Sequence, residues 1–183
     1  MPNAALLVID VQKGLDDPKM GQRNNPEAEF NMERLLTHWR GVSGTVIHVK
    51  HNSTEEGSSL RPELPGNEIK DFAKPLDGEI LFDKTVNSAF IGTGLAEHLR
   101  AENIDEIVAV GLTTDHCVST SVRMAANLGF KVWLISDATA TFDRTGFDGS
   151  YFSADQMHEI NLASLNGEFC TVLTTDQALE RLA

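Results

Sequence analysis

A chain of 183 residues with 41% hydrophobic content has the length of one domain and enough apolar material for a core, which excludes a disordered protein. Its formal net charge of −12 repels phosphate backbones and argues against a nucleic-acid partner. No apolar run approaches the ~20 residues of a membrane helix, and the start, Met1-Pro2-Asn3 and then Ala4 to Ile9, lacks the basic region and apolar length of a signal peptide. The expectation is a cytoplasmic protein without a membrane partner, with residues 1–183 forming one domain.

In chain order, Ala4 to Ile9 reads as a buried strand. A helix is predicted over Glu27–Arg40, with Gly41 placed for a left-handed cap. Thr45 to Val49 is the second strand. Asn52 to Pro75 is long, polar and rich in Gly and Pro; such a segment covers a site, contacts another subunit or is a surface excursion. Glu79 to Phe82 reads as a strand, Gly94–Glu102 as a helix and Ile107 to Val110 as a strand. A helix over Cys117–Leu128 ends at Gly129, and Lys131 to Ile135 is the fifth strand. A capping box, Ser153…Gln156, opens a helix over Ala154–Leu165, which Gly167 follows. Phe169 to Leu173 is the sixth strand. A second box, Thr174…Gln177, opens a last helix over Thr175–Leu182. Apolar runs separated by helices predict a three-layer α/β/α sandwich with a six-stranded, largely parallel sheet.

In such a sheet ligands bind beyond the carboxyl ends of the strands. Asp10 follows the first strand, Lys84 the third and Cys117 the fourth. Cys117 lies at a predicted helix start, where the partial positive charge favours thiolate. Cys170 reads as a buried thiol in mid-strand, among Phe169, Val172 and Leu173. Asp10 has the chemistry of a general base, and Lys84 that of a cation able to stabilise negative charge.

At these residues the sequence resembles the isochorismatase-like cysteine hydrolases, which include nicotinamidases, N-carbamoylsarcosine amidases and isochorismatases. The matching motifs are Leu7-Val8-Ile9-Asp10-Val11-Gln12, Asp83-Lys84-Thr85-Val86-Asn87-Ser88-Ala89-Phe90, Gly111-Leu112-Thr113-Thr114-Asp115-His116-Cys117-Val118 and Ser136-Asp137-Ala138-Thr139-Ala140. The resemblance implies a Rossmann-like strand order 3-2-1-4-5-6 and an Asp10–Lys84–Cys117 triad. It implies a cis peptide between Leu112 and Thr113, with the Thr113 and Cys117 N–H groups forming an oxyanion hole. It also implies a homo-oligomer, dimer or tetramer. With that strand order Lys84 starts two strands from Asp10, roughly 10 Å away at the usual spacing. Its loop is therefore expected to turn inward.

The family's metal-binding branch carries an Asp-x-His pair after the second strand. Here Val46-Ile47-His48-Val49-Lys50-His51-Asn52 lacks it, and an extended strand points His48 and His51 to opposite faces. No metal and no cofactor are expected. Gln12, His51, Asn52, Asn87, His116 and Phe142 are candidates for the pocket of a small-molecule substrate. The resemblance, with Cys117 intact, points to a hydrolase that cleaves a small amide-like C–N bond through a thioester. The rivals are a vinyl-ether hydrolase of the isochorismatase type, a non-catalytic scaffold and a redox thiol protein. Without a Cys-x-x-Cys motif the last ranks lowest.

Overall fold

The structure, a computed structural model, describes residues 4–182. Its centre is β1 (Ala4–Ile9), buried along its whole length. Successive side chains of a strand face opposite ways. Leu6 and Val8 accordingly pack into one apolar cluster, and Ala5, Leu7 and Ile9 into the other. That two-sided burial explains why the sequence here is a continuous apolar run rather than an alternating one.

Strands β2 (Val46–His51), β3 (Ile80–Lys84), β4 (Glu106–Leu112), β5 (Lys131–Ala140) and β8 (Thr171–Leu173) complete a parallel sheet in the order β3-β2-β1-β4-β5-β8. This is the expected order, with a two-stranded ribbon, β6 (Arg144–Thr145) and β7 (Tyr151–Phe152), inserted before the last strand. Helix α1 (Ala28–Gly41) covers one face with Met32, Leu35, Leu36 and Trp39, and α5 (Thr175–Leu182) joins it through Ala178. The other face is covered by α2 (Leu95–Ala101), α3 (Ser119–Asn127) and α4 (Ala154–Leu165), through Leu95, Leu99, Val122, Ala125, Leu162 and Leu165. Among the described residues no helix is long and apolar enough to cross a membrane.

Both capping boxes form. Ser153 and Gln156 satisfy one another's backbone N–H groups, and so do Thr174 and Gln177. Other details depart from the sequence reading. Gly41 is the last helical residue of α1, and the left-handed position falls two residues later, on Ser43 with φ 54°. Cys170 precedes β8 and forms a single bridge with Asn166. β5 runs on to Ala140 through an irregularity, since Ala109 pairs with Leu134 but Gly111 with Thr139.

The long polar segment is tied to the end of β1. Gln12 pairs with Ile69, and the Lys70 N–H donates to the Val11 carbonyl at 2.9 Å. Lys70, buried at this junction, is held by Asp16 at 2.6 Å and Glu29 at 2.7 Å.

Candidate active site

Three neighbouring strands, β3, β2 and β1, end together. The first residue past β1 is Asp10, buried and left-handed at φ 51°. Beside it Gly111, at φ 125°, brings β4 so close that a Cβ there would lie 2.0 Å from the Ile9 carbonyl oxygen. The glycine is therefore required for the two strand ends to approach. β4 closes at Leu112, and the Leu112–Thr113 peptide bond is cis. Thr114–Val118 then forms a π-helical turn, with Ser119 beginning α3 proper. Cys117 thus sits inside that turn rather than at the first residue of an α-helix, which corrects the predicted Cys117–Leu128 helix. His158 of α4 braces the turn through a 2.9 Å contact with the Thr114 hydroxyl.

Lys84 is the last residue of β3, not part of a following loop, and pairs in register with His51. No inward loop is needed: the long side chain reaches past the end of β2. Its Nζ lies 2.7 Å from Asp10 Oδ2, 3.3 Å from Cys117 Sγ and 2.9 Å from His51 Nδ1. Asp10 and Lys84 are 1% and 2% exposed, so the ion pair is cut off from solvent. Ligand-type atoms of Asp10, His51 and Cys117 lie within 4.8 Å of one another, a donor set that could hold a metal ion. In this arrangement the Lys84 ammonium is the cation within hydrogen-bond reach of all three.

Burial pushes the Asp10 pKa up against the opposing pull of Lys84. Burial, followed by the charge of Asp10, pushes the Cys117 thiol up to about 12, and Lys84 offsets only part of this. The resting sulfur is therefore a thiol. The helix-start argument for thiolate is outweighed by desolvation and a carboxylate neighbour. Asp10 Oδ1 is buried and has no hydrogen-bond partner among the described residues, which leaves an acceptor for the thiol proton.

A pocket of about 500 Å³ opens over Cys117. Asp10, His51, Asn87, Leu112, Thr113 and His116 line its base and sides, and Leu15, Met20 and Arg144 add to the wall. Ser53, Glu55, Ser58 and Leu60 bring the long polar segment to the pocket of its own chain. Arg144 is held by Asp115 at 2.8 Å, and Asp115 also accepts from the Thr141 hydroxyl at 2.5 Å.

Three expected pocket residues lie elsewhere. Gln12 is buried with its amide bonded to the His51 and Asn67 main chain. Asn52 accepts from Asn67 at 3.0 Å and does not line the pocket. Phe142, only 3% exposed, belongs to the apolar core on the α1 face. Sequence reasoning marked the Asn52–Pro75 segment as one that could cover a site but named none of its lining residues Ser53, Glu55, Ser58 and Leu60, and it missed Leu15, Met20 and Arg144. Leu60, an apolar residue in a polar stretch, was the available signal.

The sequence matches the isochorismatase domain family over residues 4–177. The chain belongs to that family and is a hydrolase by kind. It is 49% identical over 175 residues to the isochorismatase family protein YrdC of Bacillus subtilis strain 168, covering 96% of this chain and 94% of the relative. It is 27% identical over 187 residues to Nicotinamidase 3 of Arabidopsis thaliana, covering 95% and 86%. A crystal structure of an isochorismatase-family protein from Chromobacterium violaceum superposes with a TM-score of 0.96 at 43% identity, covering 100% of this chain and 94% of that one.

Proposed function

We propose that the protein is a cysteine-dependent amidohydrolase that cleaves a C–N bond of a small amide or ureide through a thioester on Cys117. The observation that carries this reading is the position of Lys84 Nζ, at once 2.7 Å from the Asp10 carboxylate and 3.3 Å from the sulfur that faces the pocket. The similarity to a nicotinamidase supports the amide class.

Asp10 takes the proton of Cys117 as the sulfur attacks the carbonyl carbon, since a thiol with a pKa of about 12 supplies little free thiolate. Lys84 holds the carboxylate and stabilises the developing charge on sulfur. The backbone N–H groups of Thr113 and Cys117 receive the oxyanion. The proton on Asp10 passes to the departing nitrogen, and the C–N bond breaks to leave an S-acyl enzyme. Asp10 then draws a proton from water, which attacks the thioester, and the proton returns to sulfur as the acid leaves.

The test is a panel of small amides, ureides, nicotinamide and isochorismate offered to the wild type and to Cys117→Ala, with intact-mass trapping of the acyl adduct. Amide turnover that vanishes in the variant, with adduct mass on Cys117, is expected. Turnover of isochorismate alone, or turnover that survives in Cys117→Ala, overturns the reading.

A further inference from the structure

We propose that His51 is a positioning residue whose neutral ring accepts one N–H of the Lys84 ammonium and thereby directs the other two at Asp10 and Cys117. This rests on the hydrolase reading for its purpose, but its geometry is testable on the thiol alone.

An ammonium has three donors and no acceptor. Around Lys84 Nζ there are three partners: a carboxylate oxygen at 2.7 Å, a ring nitrogen at 2.9 Å and a sulfur at 3.3 Å. Every N–H therefore has one target. Without His51, the hydrogen aimed at sulfur would have a buried, unsatisfied neighbour, and the group could turn about its last carbon–nitrogen bond. The third acceptor also has to be uncharged. A second carboxylate in its place would draw the ammonium away from the sulfur, the weakest acceptor of the set.

The ring meets that requirement. Because the ammonium can only donate, Nδ1 accepts and the ring proton resides on Nε2. The Val86 backbone is a further hydrogen-bond partner of the ring. Burial first, and then the charge of Lys84, lowers the His51 pKa to about 4, so the ring is neutral across the working range of most enzymes.

The main chain of His51 is fixed as well. It lies opposite Lys84 in the β2–β3 register. Gln12 accepts from the His51 N–H at 2.8 Å and donates to its carbonyl at 3.0 Å. Asn67 donates to the same carbonyl at 3.0 Å. Both amides are buried. The clamp also explains why Gln12 follows Asp10 so closely: the turn after β1 carries both the carboxylate and the clamp.

The experiment measures alkylation of Cys117 by iodoacetamide at pH 9, read peptide by peptide so that Cys170 is counted separately. Loss of one aligned N–H raises the thiol pKa by about one unit, so His51→Leu is expected to react roughly tenfold more slowly. His51→Gln, which returns an acceptor, is expected to recover most of that loss, with an unchanged circular dichroism spectrum. A His51→Leu protein that alkylates at the wild-type rate overturns the proposal, and so does a His51→Gln protein that recovers nothing. The second measurement needs no variant that might misfold. In the wild type, imidazole 15N shifts are expected to report a neutral ring protonated on Nε2 from pH 5 to 8, about the range where ordinary histidines titrate. A ring protonated on Nδ1, or one titrating near 6.5, about the ordinary histidine value, overturns the proposal. If these results hold and no amide is turned over, the amidohydrolase reading alone fails.

Discussion

Asp10, just past β1, and Lys84, at the end of β3, are separated by β2, yet their side chains meet at 2.7 Å in a space closed to solvent. The extended lysine side chain spans the gap that strand spacing creates. Replacing one partner leaves the other charge buried and unmatched, which typically costs about 3–5 kcal/mol. Lys84→Met is expected to lower the thermal midpoint clearly at pH 7. The loss should shrink at low pH, because Asp10, already raised in pKa by burial, can take a proton and become neutral. Melting curves at pH 7 and pH 5 check this; an equal loss at both would show that the carboxylate is not the group left stranded.

Asp10→Asn keeps the shape of the side chain but cannot accept the thiol proton. Turnover is expected to fall by a factor on the order of 10³, within the range for a lost general base. The variant should stay folded but with a lowered thermal midpoint, because Lys84 loses its charge partner. Full activity in it would remove Asp10 from the chemistry.

Cys117 is expected to alkylate faster with every step in pH up to 10, since its pKa of about 12 keeps it below half-ionised throughout. A rate that levels off below pH 8 would point instead to a preformed thiolate.

Acid stability has a separate source. Arg23 and Lys70 bind Glu29 and hold it at a pKa of about 2, against its usual 4.5, although burial pulls the other way. A depressed carboxylate contributes stability above its unfolded pKa and loses it as pH falls towards the folded value. The contribution of Glu29 is thus complete above pH 4.5 and disappears towards pH 2. Urea denaturation of Glu29→Gln should show lower stability at pH 7 and a flatter decline between those limits. An unchanged decline would assign acid lability to other groups.

Phe142→Ala tests whether this ring belongs to the core or to the pocket. Truncation of a buried phenylalanine costs about 3–5 kcal/mol, and Phe142 is only 3% exposed. Denaturant titration should show that loss, with the kinetics of the surviving folded fraction unchanged. A stable variant with an altered KM would return Phe142 to the pocket.

The central strands were legible because burial on both faces writes itself as uninterrupted apolar sequence, as in Ala4 to Ile9, whereas the strand order followed only from the family resemblance. The helix starts at Ser153 and Thr174 were legible for a different reason, the local pairing of a hydroxyl with a glutamine three residues on. The family motifs marked Asp10, Lys84 and Cys117. What could not be read is what depends on distant segments meeting. Gln12 looked like a pocket residue because it stands in the Asp10 motif, but Asn67, 55 residues away, shares its amide. Thiol ionisation was misjudged because a helix terminus is visible in sequence, whereas burial and the Asp10 charge are properties of the folded site.

The segment between β2 and β3 supplies Ser53, Glu55, Ser58 and Leu60 to the rim of the cavity, while the groups around the sulfur come from strand ends and the turn after β4. Part of the cavity rim and the partners of the sulfur thus come from different stretches of polypeptide. On the proposed amidohydrolase reading, an exposed rim side chain such as Glu55 gives protein engineers a handle on selectivity, while Leu60, whose carbonyl accepts from the Asn67 amide that also holds His51, has to stay in place.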